Sequence, residues 1–141
     1  MPRWPSTPRA KSLAFIFFPL PPENTPLHRT SDQNQFTERD VTFGIPGWEL
    51  PGTVTIPKGN RPFPALLLVH GSGPNDRDET ILGNKPFRDL AWGLATQGIA
   101  VFRYDKRTYV HGMKLTSLEM THFTVEEEVF LDTLKALEFL R

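Results

Sequence analysis

Between residues 36 and 43 the apolar side chains Phe36, Val41 and Phe43 stand among polar ones, and Thr53-Val54-Thr55-Ile56 is β-branched throughout. Gly44-Ile45-Pro46-Gly47-Trp48 lies between them and has the composition of a turn. The pattern predicts two strands joined as an antiparallel hairpin. After a break at 58–62, Ala65-Leu66-Leu67-Leu68-Val69 is a continuous apolar run, the pattern of a strand buried on both faces of a parallel sheet. A polar loop follows over 70–83. A helix is expected from about Asn84, with Pro86 in its first turn, where a missing N–H costs nothing. Phe87, Leu90, Ala91 and Leu94 form its apolar stripe, and Gly98 caps it. Ile99-Ala100-Val101-Phe102 reads as a second buried strand.

Residues 105–123 have weak periodicity and read as a loop or excursion. Thr124-Val125-Glu126-Glu127 then has the form of a capping box, and Glu126, Glu127 and Glu128 suit the positive end of a helix dipole. Val129, Phe130, Leu134, Leu137 and Leu140 are the expected buried stripe of that helix. The order is β-β-β-α-β-α, which predicts an α/β fold: a layered sheet with helices on both faces. Four strands ending on a crossover helix form an incomplete sheet by this logic, so the chain is expected to be cut short.

Composition narrows the picture in three ways. A chain of 141 residues with 38% hydrophobic and 23% charged positions can bury one core. Sixteen basic residues balance sixteen acidic ones, so no global field favours nucleic acid or an anionic membrane, and neither partner is expected. The absence of cysteine excludes disulfides, a thiolate nucleophile and Cys-based zinc sites. Residues 1–35 are rich in Pro, Ser and Thr and are expected to be a disordered or non-native leader, with the domain occupying 36–141. Arg3, Arg9 and Lys11 before Leu13-Ala14-Phe15-Ile16-Phe17-Phe18 imitate a signal peptide. The run is short, however, and Pro19-Leu20-Pro21-Pro22 follows it without a small-x-small cleavage site. A cytoplasmic location is the expectation, with export left open.

The chemistry-bearing segment is Leu68-Val69-His70-Gly71-Ser72-Gly73-Pro74-Asn75-Asp76-Arg77-Asp78, a strand running into a Gly-rich turn whose backbone amides can approach an oxyanion. This stretch resembles the α/β-hydrolases, in which a His-Gly-x motif after the third strand supplies part of the oxyanion hole. Asn84-Lys85-Pro86-Phe87-Arg88-Asp89-Leu90-Ala91 is similar to the first helix of bacterial dienelactone-hydrolase-like esterases. Gly98-Ile99-Ala100-Val101-Phe102-Arg103-Tyr104-Asp105-Lys106-Arg107 is similar to their fourth strand and the Tyr-Asp-x-Arg loop after it. Many relatives continue with Gly-x-Gly where Thr108-Tyr109-Val110 stands here. The resemblance covers about residues 36–141 and implies the N-terminal half of a hydrolase domain, truncated before the nucleophile strand. It further implies an oxyanion-hole loop at Gly71, Ser72 and Gly73, a small-molecule ester as substrate of the full-length family, and no cofactor.

None of Ser6, Ser12, Ser31, Ser72 and Ser117 lies in a Gly-x-Ser-x-Gly elbow, and in family order the acid and histidine come after the nucleophile. No catalytic residue is therefore assigned, and the chain alone is expected to be inactive. The rival reading is a non-catalytic binding or complementing half that needs a second chain. A local triad of His70, Ser72 and Asp76 is disfavoured, because neighbours on a tight turn rarely reach one another in the required geometry. His70, Asp76, Asp105, Lys106 and Arg107 are expected to support the loop, and Asp76, Arg77, Asp78 and Glu79 to form a solvated network. His111 and His122 lack the spacing of a metal site, and no metal is expected. Trp48 and Trp92 read as packing residues. Gly71-Ser72-Gly73 also has the outline of a dinucleotide-binding turn, but Asp76 occupies the third glycine position and the helix starts too late. Finally, the missing neighbour strand would leave the 66–69 edge open to self-association.

Overall fold

The computed structural model describes residues 32–117 and 129–140. Strands β1 (Phe36–Ile45) and β2 (Trp48–Pro57) form the expected hairpin, in register from Phe36↔Pro57 to Ile45↔Trp48. A short 3-10 turn, Gln33–Gln35, precedes β1. The Lys58 amide donates to the Gln35 carbonyl, so this turn is tied to the end of β2 although it falls within the segment read as leader. β3 (Ala65–Leu67), α1 (Pro86–Ala95) and β4 (Ala100–Tyr104) follow, then the short helices α2 (Arg107–Val110) and α3 (Gly112–Ser117), and α4 (Leu131–Phe139).

The sheet order is β1-β2-β4-β3, with β4 antiparallel to β2 and parallel to β3. The α/β expectation holds at this level: a mixed four-stranded sheet with helices. Alternation along β4 sorts the core into two layers. Val101 packs with Leu68 and Ala91 under α1, while Phe102 and Tyr104 pack with Phe43, Leu50 and Ala136 under α4. β2 approaches β4 closely at Gly52, where an added Cβ would stand 2.6 Å from Phe102 Cε2 and 3.0 Å from the Arg103 carbonyl oxygen. Only glycine fits that crossing.

Three expectations need correcting. The Leu-rich run is not buried on both faces: β3 holds only three residues at the sheet edge, and Leu66 and Val69 are 41% and 38% exposed. α1 lies across β4 and β2, and β3 is the edge strand beyond β4. The stripe assigned to the last helix holds only in part: Leu140 packs against the core and Val129 is half-buried, but Phe130, Leu134 and Leu137 are exposed while Asp132 and Ala136 are buried. A contact from Asp132 to Arg107 turns that face of α4 toward the sheet. Residues 107–117 are not a plain loop but two helices too short to show a hydrophobic period. The capping box at Thr124 and Glu127, together with Glu126, Glu128 and His122, lies outside the described residues.

Elsewhere the pattern reads as expected. α1 starts at Pro86 and buries Ala91 and Ala95, although Leu90 of the expected stripe is 47% exposed. β4 is the central strand and is buried from Val101 onward.

Candidate functional site

Because β3 and β4 are parallel and adjacent, their carboxyl ends deliver two loops to one end of the sheet. That is the end at which open α/β sheets bind ligands. Residues 70–79 come from β3 and residues 105–107 from β4. The structure thus brings His70, Gly71, Ser72, Gly73, Asp76 and Asp105 together, while Arg107 turns away from the loop. Its guanidinium forms a two-pronged buried contact with Asp132 of α4 and lies 5.3 Å from the Trp48 ring.

His70 is buried beneath the loop, its ring 5.1 Å from Tyr104 and 5.8 Å from Phe87. Its Nε2 has no hydrogen-bond partner. Burial holds its pKa below the ordinary histidine value, against the opposing pull of Glu79 and of the Asp76 and Tyr104 carbonyls. His70 is therefore a neutral packing residue at pH 7. Ser72 lies exposed on the loop, and the structure pairs neither its hydroxyl with His70 nor His70 with the Asp76 carboxylate. No local triad forms.

The loop is laced internally. The Gly71 amide donates to Glu79 Oε1 (3.3 Å), and Lys106 Nζ donates to the Gly71 carbonyl (2.9 Å). Asn75 Nδ2 donates to the Ser72 carbonyl and to Glu79 Oε1, both at 3.0 Å. Asp76 caps the turn after it, accepting from the Thr80 amide at 2.9 Å and the Thr80 hydroxyl at 2.6 Å. Burial raises its pKa, but the Thr80 and Asp78 bonds outweigh this and the net shift is downward. Gly73 holds φ +93°, a conformation suited to glycine. Among the described residues the amides of the exposed Ser72 and Gly73 have no hydrogen-bond acceptor.

Beneath the loop, the α1 side of the sheet is polar where the helix ends. The register sets Glu38, Asp40, Thr53, Thr55 and Arg103 on that face. Arg103 is buried and donates to Asp78 Oδ1 (2.9 Å), Thr55 Oγ1 (2.8 Å) and Glu38 Oε1 (2.8 Å). Arg77 grips Asp105 through Nε (3.0 Å) and Nη2 (2.9 Å), and its Nη1 reaches Thr53 Oγ1 (2.9 Å). The bond to Asp105 raises the Arg77 pKa above its ordinary value. Asp78 also accepts from Lys85 (2.9 Å). Its burial opposes ionisation, yet the bonds from Lys85 and Arg103 hold its pKa low. Sequence reasoning treated Asp76, Arg77, Asp78 and Glu79 as a solvated network, and it assigned no role to Asn75, Lys85 or Arg103. One signal was available: Glu38 and Asp40 on one strand and Thr53 and Thr55 on its partner repeat with period two, marking a polar patch on one face.

His111 bonds the Glu49 carbonyl through Nε2 (2.9 Å) and stacks edge-on against Trp48. Among the described residues no group of three His, Asp or Glu side chains could hold a metal ion, and no helix is long and apolar enough to cross a membrane.

These features define a mixed α/β domain with a braced, glycine-containing loop at the carboxyl edge of its parallel strand pair. Over 110 residues the chain is 52% identical to Esterase EstD of Thermotoga maritima, a match covering 78% of this chain and 24% of that protein. The chain is thus related to an esterase over a stretch spanning about a quarter of the relative's length. No family profile and no solved structure matches the chain.

Proposed function

We propose that this chain is part of a serine hydrolase of the α/β-hydrolase superfamily, similar to the dienelactone-hydrolase-like esterases and acting on small carboxylic esters. Its contribution is the oxyanion-hole loop, Gly71 to Gly73. In the reaction a serine Oγ attacks the ester carbonyl, and the displaced electron pair becomes an oxyanion. A histidine takes the serine proton and returns it to the departing alkoxide; water then releases the acyl group. The Ser72 and Gly73 amides would hold the oxyanion, and dipoles fixed in advance in this way supply a large share of catalysis. The nucleophile, acid and histidine come from other polypeptide, since no serine here occupies a Gly-x-Ser-x-Gly elbow. The reaction calls for no cofactor or metal.

The observation carrying this reading is the pair of uncommitted amides on a loop braced from below, in a chain related to an esterase. The test mixes the purified chain with a polypeptide corresponding to the portion of the EstD-like relative that follows the matched stretch. Hydrolysis of p-nitrophenyl acetate and labelling by a fluorophosphonate are measured. The chain alone should do neither, and the mixture should do both, with the label on the added polypeptide. Covalent labelling of Ser72 or another serine of this chain would overturn the assignment. A binding or complementing role without chemistry is the second reading, favoured by the open β3 edge. It predicts a stable complex with that polypeptide and no turnover.

A further inference from the structure

The Gly71-Ser72 and Ser72-Gly73 peptides are trans, the Arg61-Pro62 bond being the cis peptide of the described residues. In a planar trans peptide the C=O and N–H point in opposite directions, so fixing one fixes the other. Lys106 Nζ holds the Gly71 carbonyl at 2.9 Å, and Asn75 Nδ2 holds the Ser72 carbonyl at 3.0 Å. The Asn75 amide has only one sensible orientation, because all its partners are acceptors: two carbonyls and the Glu79 carboxylate. With both carbonyls drawn toward Asn75 and Lys106, the Ser72 and Gly73 N–H groups are directed to the opposite side. Lys106 is buried, and its own amide donates to the Asn75 carbonyl (3.1 Å), so the two clamping residues are also fixed to each other.

We infer that Asn75 and Lys106 are positioning residues that aim the two oxyanion donors, Lys106 setting the Ser72 N–H and Asn75 setting the Gly73 N–H. The inference rests on the oxyanion reading above. It deepens that reading by naming the side chains that fix the direction of the donors. Neither residue need touch substrate.

The test uses the ¹⁵N-labelled 141-residue chain with Asn75→Ala and Lys106→Met, and Asn75→Asp and Lys106→Arg as milder variants should the first two fail to fold. Residual dipolar couplings report the N–H directions, with those of Val101 to Tyr104 as the control for an intact sheet. Asn75→Ala and Asn75→Asp should change the Gly73 coupling more than the Ser72 coupling, and Lys106→Met the reverse. Lys106→Arg, which keeps a donor, should restore the parental Ser72 value. Titration with acetate as a model oxyanion should shift both amides saturably in the parent, and each variant should lose the shift at the amide it releases. Parental couplings at both amides in every folded variant would overturn the clamp. Couplings that respond as described while acetate moves neither amide in the parent would uphold the clamp and overturn the oxyanion reading.

Discussion

At the scale of single residues, His70 ties the loop to pH. Its imidazole is buried with Nε2 unpartnered, and desolvation of the charged form outweighs the pull of Glu79 and of the Asp76 and Tyr104 carbonyls, so its pKa falls below the ordinary 6.5. A group that binds its proton less readily when folded makes stability rise with pH across the interval between the two values. Its contribution is complete above about pH 6.5 and is lost as the pH falls through the lowered folded value. Urea denaturation at pH 7.5 and 5.5 should show a lower midpoint at the acidic pH, and His70→Asn should flatten that difference. The Asp76 and Asp78 carboxylates act in a separate window. Their pKa values are lowered, so their contribution is lost only on acidification below the ordinary 3.8. An unchanged pH slope in His70→Asn would remove His70 from the account. Arg103 gives a sharper case. Its guanidinium is 4% exposed between Asp78 and Glu38, and Arg103→Met leaves the largely buried Asp78 with Lys85 as its remaining cation. Breaking one side of a buried pair costs about 3–5 kcal/mol. Calorimetry should show a loss of that order, whereas Arg88→Met, whose partner Asp89 is 60% exposed, should cost about 1 kcal/mol or less.

At the scale of elements, the sequence is legible where local pattern and tertiary position agree. The hairpin and β4 could be read directly, because β-branched and apolar runs between turn residues coincide with strands in long paired register, β2 and β4 on both sides and β1 on one. β3 shows where reading stops. Its apolar run describes a buried strand, yet its burial depends on neighbours that periodicity within 65–69 cannot reveal. α4 fails for a related reason. The Phe130, Leu134 and Leu137 stripe is a sound amphipathic face, but the Arg107–Asp132 pair sets which face meets the sheet. Nothing local to 129–140 announces a partner more than twenty positions away. The site divides in the same manner: the Gly-rich turn is visible, while its brace is assembled from β1, β2 and β4 and emerges only from strand register. Asp132→Asn should therefore loosen α4 before anything else. Hydrogen exchange should quicken across 131–139 while β2 and β4 stay protected, and equal quickening throughout would mean that the pair stabilises the whole domain and not this helix. Gly52→Ala probes the opposite kind of element contact. A methyl 2.6 Å from Phe102 must displace the ring or part β2 from β4. A loss of about 1–3 kcal/mol is expected, as for other overpacked cores, and is measurable as a fall in denaturation midpoint.

At the scale of the whole molecule, two apolar surfaces lie uncovered among the described residues: the β3 edge with Leu66 and Val69, and the outward stripe of α4. An unpaired strand presents free N–H and C=O groups to any matching edge, and charge or proline is the usual protection. Pro64 stands just before β3, but no charged side chain lies within 65–69. The formal net charge of zero adds no repulsion between copies. The chain is therefore expected to self-associate, with β3 joining two sheets edge to edge. Sedimentation velocity should show oligomers that grow with concentration, and Leu66→Lys should shift the population toward monomer by placing a charge at the edge. Leu134→Glu with Leu137→Glu tests the competing surface, since α4 lies on the other face of the sheet from Leu66. Dissociation by the α4 pair alone would assign the contact to the helix, and a monomer at all concentrations in the parent chain would show that neither surface is sticky enough to matter. The polypeptide used in the complementation test bears on the same edge. If it completes the sheet beside β3, its addition should dissolve the oligomers as it restores turnover, because one edge cannot pair with two strands at once.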